Sequence, residues 1–254
     1  MEVLLAPKGT PLRNFTPTDD FYAGSCDKQA VPVPAVGALE GETGYECKND
    51  GDCHLIVLDM ERKRLYEMWR ANIVGNKFYG GCLVVWDLKR RYGPNGRGLD
   101  CTSADAAGLP ITPLLFTPAE VASGEIKHAI RFILPNKRIR NGVYVAPATH
   151  STNATSAPTA GPAYGARFRL RADYPVESLP SKGAQVVARA LQRYGMILAD
   201  AGRVVLTARS DRYSKIKWKD LLGPHGLRPL KVRDFEVVDG GDRIRYRGEC
   251  ERED

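Results

Sequence analysis

The chain has 254 residues, of which 43% are hydrophobic, so it is long enough to bury a core as one domain. Its 25 glycines and 17 prolines favour many short strands and tight turns over long helices. The net charge of +7 indicates either a basic solvated surface or an anionic partner such as an acidic polysaccharide. Nucleic acid is not expected, because no aromatic and basic motif of a known binding fold is present. No apolar run approaches the roughly 20 residues of a membrane-spanning helix, so no membrane partner is expected either.

Three regions differ in composition. Residues 1–50 contain five prolines and little periodicity, which predicts an arm packed on the body of the protein. Residues 51–240 carry the strand patterns and are predicted to form a single β-sandwich domain. Residues 241–254 are rich in charge and predict a tail that frays apart from its cysteine.

The cysteines indicate a compartment. They form no CxxC pair, and no histidine stands at zinc-finger spacing, so we expect neither a metal site nor a cofactor. An even count in a glycine-rich β chain favours disulfides and therefore secretion, although the spacing does not choose among the possible pairings. The sequon at Asn153 fits secretion. The apolar segment at residues 3–6 is too short for a signal peptide, which leaves an intracellular protein with free thiols as the alternative. The six cysteines are Cys26, Cys47, Cys53, Cys82, Cys101 and Cys250.

The sharpest strand pattern is a hairpin of two apolar runs around a charged turn at residues 60–63. A turn of this length places Ile56 opposite Glu67, and the period of two puts His54, Glu67 and Trp69 on one face. A carboxylate, an imidazole and an indole together are typical of a surface that binds a sugar ring. The alternative is the solvent face of an edge hairpin.

A third strand over residues 81–88 continues this sheet and leads into a basic, turn-rich loop at residues 89–98. That loop either meets phosphate or carboxylate groups or is simply solvated. The small-residue segment 102–110 follows, and small residues allow close approach of a backbone or a ligand. Its single carboxylate, Asp105, is either a turn cap or a functional group.

Two helices are predicted. Thr117, a following proline and Glu120 have the arrangement of a capping box, and residues 182–194 show the apolar spacing of a longer helix. Between them, a strand over residues 126–134 carries His128 with apolar neighbours on one face and Arg131 on the other. A histidine in that position is either a hydrogen-bonded core group or a site residue.

Further polar groups lie on the later strands. One strand carries Tyr144 and ends at His150, beside a long loop rich in serine, threonine and proline. In another, Arg167 and Arg169 share a face with Arg171. Three arginines on one strand face repel one another unless anions or acidic neighbours compensate them, and this pattern favours an acidic ligand.

Seven segments follow one another in a fixed order between residues 50 and 238. They include Thr102 to Pro110 (TSADAAGLP), His128 to Phe132 (HAIRF) and Arg193 to Asp200 (RYGMILAD). Together they resemble a family of secreted, β-rich bacterial and eukaryotic proteins that has no assigned reaction. The resemblance implies a shared fold and no particular chemistry. The chain departs from the family in its shorter, cysteine-bearing N-terminal part and in its proline-rich loop at residues 151–164.

These patterns predict an all-β fold, either a jelly-roll or a concanavalin-like β-sandwich, with one or two short helices. The predicted function is that of a secreted carbohydrate-active protein that cleaves an acidic or a plant or algal polysaccharide. The alternative is a non-catalytic glycan-binding module, which needs the same aromatic and basic surface without proton-transfer groups. A glycoside hydrolase requires two carboxyl groups at a fixed separation, and the candidates are Glu67 with either Asp105 or Asp200.

A polysaccharide lyase requires a base for the proton next to a uronate carboxylate and a cation to neutralise that carboxylate. The candidate bases are His128, His150 and Tyr144, and the candidate cations are Arg167 and Arg169. The expected substrate-binding set also includes His54, Trp69 and Arg131.

Overall fold

A computed structural model describes residues 1–253 and is mainly β-structure, in several sheets, with two α-helices. The predicted β class is confirmed, and the jelly-roll or concanavalin-like arrangement stays a prediction.

The strands are β1 (Leu4–Leu5), β2 (Leu12–Arg13), β3 (Thr16–Pro17), β4 (Val31–Pro32), β5 (Leu55–Asp59), β6 (Arg64–Trp69), β7 (Asn72–Val74), β8 (Lys77–Gly80), β9 (Cys82–Asp87), β10 (Gly98–Leu99), β11 (Ile130–Leu134), β12 (Val143–Tyr144), β13 (Arg167–Leu170), β14 (Met196–Ala201), β15 (Val205–Leu206), β16 (Phe235–Val238), β17 (Ile244–Arg245) and β18 (Glu251–Arg252). The helices are α1 (Pro118–Ser123) and α2 (Lys182–Arg193), with short 3-10 turns at Thr112–Leu114, Asn136–Arg138, Val176–Ser178, Trp218–Asp220 and Val232–Asp234. Neither α-helix has the length and the apolar sequence that crossing a bilayer requires.

The first sheet has the strand order β1-β5-β6-β9. The predicted hairpin is confirmed, since Ile56 pairs with Glu67 and Asp59 with Arg64. Both faces of the sheet are buried, because the arm covers one face and residues of the 102–115 segment cover the other. The alternative of a solvent-exposed hairpin face is therefore wrong.

The second sheet has the order β15-β11-β14-β13-β16, with β11 and β14 parallel and β13 antiparallel to its neighbours. Helix α2 follows the predicted range and is capped by the hydroxyl of Ser181. Its apolar residues Val187 and Leu191 pack with Ile130 and Leu170 of the sheet. The predicted capping box of α1 is also present, between Thr117 and Glu120.

Disulfides and strand pairs fasten both ends of the chain. The prediction of disulfides is confirmed, with the pairs Cys26–Cys82, Cys47–Cys53 and Cys101–Cys250. Strand β1 joins the first sheet, while β17 pairs with β12 and β18 pairs with β10. The expectation of a frayed tail is therefore wrong, because a disulfide and two strand pairs hold it. The domain boundaries at residues 50 and 240 stay a prediction.

The 102–110 loop lies between the two sheets. Ala104 packs with the first sheet, whereas Ala107 and Leu109 pack with residues of the second. The backbone N–H of Ala107 donates to Ala199 O at 2.9 Å, and so ties the loop to β14. Gly108 has a φ of +76°, and a Cβ there would lie 2.6 Å from the carbonyl oxygen of Cys101. The loop therefore needs glycine at this position both for its backbone conformation and for space.

Candidate functional site

Three successive residues of the 102–110 loop each hold one ionisable side chain from another part of the chain. The carbonyl oxygen of Ala104 accepts a hydrogen bond from His54 Nε2 at 2.9 Å. The carboxylate of Asp105 accepts one from Arg131 Nε at 2.6 Å. The carbonyl oxygen of Ala106 accepts one from His150 Nδ1 at 2.8 Å. The loop thus gathers side chains that are far apart in the sequence.

The central contact is an arginine shared by two carboxylates. Arg131 Nε binds Asp105 Oδ2 at 2.6 Å, and its Nη2 binds Asp200 Oδ2 at 2.7 Å. The parallel pairing of β11 with β14 brings Arg131 and Asp200 together. Because both oxygens bind neighbouring nitrogens of one planar guanidinium, the two carboxyl groups lie side by side. The Asp105 side chain has no exposed surface, whereas the Asp200 side chain is 22% exposed.

Burial controls the protonation of this group. Burial raises the pKa of Asp105 to about 7, with a further contribution from Asp200 and against the attraction of Arg131. Burial also raises the pKa of Asp200. Although burial opposes a charged guanidinium, the two aspartates raise the pKa of Arg131. The carboxyl pair therefore takes up a proton at a higher pH than isolated aspartates do, while the arginine stays charged.

A second ion pair lies beside the first. His54 Nδ1 contacts Glu40 Oε2 at 2.8 Å, and the Glu40 side chain is 37% exposed. The carbonyl of Ala104 can only accept a hydrogen bond, so His54 Nε2 carries a hydrogen. The carboxylate of Glu40 accepts a second hydrogen bond, from the N–H at Nδ1. Burial lowers the pKa of His54, but the hydrogen bond to Glu40, together with the charges on Glu40 and Asp200, outweighs it and raises that pKa to about 9. At Glu40 burial raises the pKa, and the hydrogen bond and charge of His54, with other nearby positive charges, outweigh it and lower that pKa.

The two ion pairs act on each other. The charge on His54 lowers the pKa of Asp200, and the charge on Glu40 raises that of Arg131. Of the carboxyl groups in the cluster that reach solvent, Asp200 has a raised pKa and Glu40 has a lowered one. Sequence reasoning missed Glu40, because it lies in the arm, where no periodic pattern marks it.

His150 belongs to a row of rings along the loop. Its Nδ1 donates to Ala106, and burial lowers its pKa, so its Nε2 accepts from the hydroxyl of Tyr246 at 2.9 Å. The ring centroids of these two residues are 4.7 Å apart. Tyr22 is 43% exposed, and its ring centroid lies 6.3 Å from that of His150 and 6.3 Å from that of Trp69. We call Trp69, Tyr22, His150 and Tyr246 the aromatic row. Sequence reasoning also missed Tyr22 and Tyr246, which lie in irregular terminal segments.

Unpaired hydroxyls also accompany the cluster. The hydroxyl of Tyr164 is buried and makes no hydrogen bond to the protein atoms of residues 1–253, and the same holds for Ser151 and Thr152. Burial and the charge on Asp200 raise the pKa of Tyr164. Tyr164 and Ser151 have no exposed surface, so their hydroxyls are enclosed polar groups beside the cluster.

Glu67 is placed elsewhere. It is fully buried in the first sheet and accepts hydrogen bonds from Trp86 Nε1, from the backbone N–H groups of Ile111 and Thr112 and from the Thr112 hydroxyl, at 2.7–3.0 Å. It shares no hydrogen-bond partner with Asp105 or Asp200. Nor does a hydrogen bond or ring contact within residues 1–253 join Glu67 to His54 or Trp69, although the three lie on the predicted face. The indole of Trp69 instead donates to Asp52 at 2.6 Å.

The structure separates the other candidates from the cluster. His128 precedes β11 and joins Glu120 of α1 to the carbonyl of Ala129, so it is not on the strand as predicted. Tyr144 is fully buried, and its hydroxyl accepts from the backbone N–H of Asp100 at 3.2 Å. These two side chains have structural partners.

The arginine stripe on β13 is compensated by acidic neighbours. Arg169 pairs with Glu236 at 2.6 Å, and Arg171 pairs with Asp173 at 3.1 Å. Arg167 is half-buried on the same strand. Acidic neighbours thus pair with two of the three arginines, and the stripe does not by itself require an acidic ligand.

The three candidate histidines, His54, His128 and His150, do not form a metal site within residues 1–253. Close spacing of potential ligands is instead found for Glu42, Cys47 and Cys53, and the two cysteines are joined in a disulfide. Neither thiolate is available to a metal.

Comparisons with known proteins were made at three levels. No family model matches the chain, no curated protein matches it, and no solved structure matches it. The resemblance to the uncharacterised secreted family stays a prediction.

Proposed function

We propose that this protein hydrolyses glycosidic bonds of a polysaccharide outside the cell. Asp200 serves as the general acid, and Glu40 serves as the carboxylate that activates water or attacks the sugar. His54 is a positioning residue that lowers the pKa of Glu40, and Asp105 and Arg131 are positioning residues that hold the buried side of Asp200. The observation that carries the proposal is the opposite pKa shift of two solvent-reaching carboxyl groups in one charged cluster.

Glycoside hydrolysis needs one carboxyl group that is protonated and one that is ionised. Environments that push two pKa values apart are the usual means of assigning these roles. At Asp200, burial beside Asp105 favours the protonated form. At Glu40, the charged imidazole of His54 favours the ionised form. The two pKa values are therefore shifted in the directions that these roles require.

The aromatic row supports a sugar as the ligand. Trp69, Tyr22 and Tyr246 are partly exposed aromatic residues, and the Arg70 guanidinium lies 5.3 Å from the centroid of the Trp69 ring. Aromatic rings pack against the C–H groups of sugar rings, while nearby polar groups bind the hydroxyls. The three disulfides are compatible with secretion.

A polysaccharide lyase is the second candidate, and the contact between His150 and Tyr246 favours it. A neutral imidazole that accepts from a half-buried tyrosine hydroxyl is able to relay a proton from the carbon next to a uronate carboxylate. This candidate uses His150 and does not need Asp200 as an acid. A glycan-binding module needs neither His150 nor Asp200 for binding. A cleavage assay distinguishes the hydrolase, the lyase and the binding module.

The test is incubation with a panel of neutral and uronate-containing polysaccharides, with reducing ends and the absorbance of unsaturated uronates read together. We expect reducing ends without the chromophore, and a fall of at least about 100-fold in rate for Asp200→Asn and for Glu40→Gln. Glu46→Gln is the matched control, because Glu46 lies in the same arm, is exposed and contacts only Lys48. Both signals together, abolished by His150→Ala, would establish the lyase instead. Binding of a polysaccharide without cleavage by the wild type would establish the module.

A further inference from the structure

An arginine-rich cavity lies at one end of the first sheet. It has a volume of about 190 Å³ and lies where β6 and β9 meet the loop at residues 89–98 and the C-terminal strand β18. Its walls include four guanidinium groups, the ring of Tyr92 and the amide of Gln29. The four arginines are Arg64, Arg90, Arg97 and Arg252.

The carboxylates around this cavity do not neutralise it one for one. Arg97 and Arg252 both bind the same oxygen of Asp27, so a single carboxylate serves two guanidinium groups. The other oxygen of Asp27 accepts from the backbone N–H of Val85 at 2.8 Å. Arg64 pairs with Asp87. One pair of arginines is thus only half compensated.

Arg90 has no carboxylate partner within residues 1–253. Its Nη2 donates to the backbone carbonyl of Glu253 at 3.3 Å, and its guanidinium lies 5.1 Å from the centroid of the Tyr92 ring. The carboxylate of Glu253 accepts instead from the side-chain amide of Asn95 at 2.8 Å. The cavity is therefore lined by four arginines and by two carboxylate residues, Asp87 and Glu253, and the Arg90 guanidinium is not paired with either.

We propose that this cavity binds an oxyanion, namely a carboxylate or sulfate group carried by an acidic polysaccharide. Guanidinium groups bind such anions through paired N–H donors. Arg97 is only 5% exposed, and its Nη1 and Nη2 donate to Ser25 O and Asp27, so it contributes positive charge beside the cavity. The Tyr92 hydroxyl accepts from the backbone N–H of Asp87 at 2.8 Å, which leaves its own hydrogen free to donate to the anion. The volume equals about six water molecules in the liquid, enough for the anionic group and part of a sugar ring.

This inference rests on the proposed function for the source of the anion, since a free inorganic ion has the same chemistry. It adds a substrate class to that function. A chain held by its acidic groups at this cavity would be an acidic polysaccharide, whereas the aromatic row alone fits a neutral one.

The test is calorimetric titration of the full chain with sodium sulfate, a sulfated oligosaccharide and an oligouronate, each against sodium chloride at matched ionic strength. We expect one site for all three ligands, weakened about tenfold or more by Arg90→Gln, because this variant removes a charged hydrogen-bond donor from the cavity. Arg91→Gln is the matched control, because Arg91 is the neighbouring exposed arginine and does not line the cavity. Circular dichroism checks that both variants are folded.

Equal weakening by the two variants would overturn the proposal, since it would indicate general attraction to a basic surface. Absence of binding by the wild type would overturn it as well. Binding of inorganic sulfate without either oligosaccharide would overturn the glycan as the source. The cleavage proposal is tested separately, because Asp200→Asn should abolish cleavage and leave these titrations unchanged. If cleavage is absent while Arg90→Gln still weakens binding, only the hydrolase proposal fails.

Discussion

Replacing Arg131 by methionine removes the one cation that binds both Asp105 and Asp200. Methionine keeps much of the length of the side chain and removes its charge. The variant then holds a fully buried carboxyl group beside a second one, with no guanidinium between them. Breaking a buried ion pair by removing one partner costs about 3–5 kcal/mol, because a charge is left uncompensated. We expect Arg131→Met to lower the free energy of unfolding by that amount at neutral pH.

The loss should depend on pH in a defined direction. Without the guanidinium, the folded-state pKa values of both aspartates rise further above the unfolded value of about 3.9. The folded variant then binds more protons than the unfolded chain, so its stability falls as pH increases above that value. The slope is at most about 1.4 kcal/mol per pH unit for each carboxyl group. The variant should therefore be closer to the wild type at pH 5 than at pH 8.

Urea unfolding followed by circular dichroism, with disulfides intact, measures this difference at both pH values. Arg169→Met is the control, because Arg169 pairs with Glu236 on the exposed side of β13 and such pairs contribute at most about 1 kcal/mol. A loss below about 1 kcal/mol for Arg131→Met would refute the reasoning, and so would a loss that does not change between pH 5 and pH 8.

Two further variants test the neighbouring contacts. The His54 pKa of about 9 lies above its ordinary value, so the ion pair with Glu40 stabilises the fold by about 3 kcal/mol. This contribution is complete below about pH 6.5 and disappears as pH rises through about 9. Glu40→Gln should flatten the stability profile between pH 7 and pH 10, and parallel profiles would contradict the assignment. Gly108→Ala should lower the free energy of unfolding by about 3 kcal/mol or more, because its φ is +76° and a Cβ would contact backbone. Gly124→Ala, with φ +88° and open space around it, should cost about 1 kcal/mol, and equal shifts in Tm for the two variants would count against a tight fit of the 102–110 loop.

Features that depend on neighbouring residues were predictable from the sequence. The hairpin register of β5 and β6 follows from the length of its turn and from the strand period, and the structure has the predicted pairs. The ends of α2 and the capping box of α1 follow from residues within a few positions of each other. Each of these depends on local backbone geometry alone.

The meeting of Asp105, Arg131 and Asp200 was not predictable in the same way. The sequence marks each of them as a candidate, but in different roles and without their mutual contact. Their approach depends on the parallel pairing of β11 with β14, whose sequence separation leaves many alternative pairings open. Glu40 carries no signal at all, since it reaches His54 from an arm without periodicity.

Glu67 shows why a polar residue in a strand is ambiguous. The period of two correctly gives its face, but it does not say whether that face meets solvent or a second layer. Here the 102–115 segment covers the face and supplies backbone donors that satisfy the carboxylate. The residues that cover a sheet come from distant parts of the chain, and a strand pattern contains no information about them.

Solvent contact distinguishes the charged cluster at the 102–110 loop from polar groups that only support the fold. Glu67 and Tyr144 are enclosed, and their partners lie within the protein, so packing accounts for them. Stability alone does not require a buried arginine between two aspartates, because well-packed apolar side chains of similar volume often stabilise as well or better. In this cluster burial raises the pKa of Asp200 against the charges of Arg131 and His54, whereas the ion pair with His54 lowers the pKa of Glu40 against burial. Two accessible carboxyl groups whose pKa values are shifted in opposite directions are an arrangement suited to proton transfer.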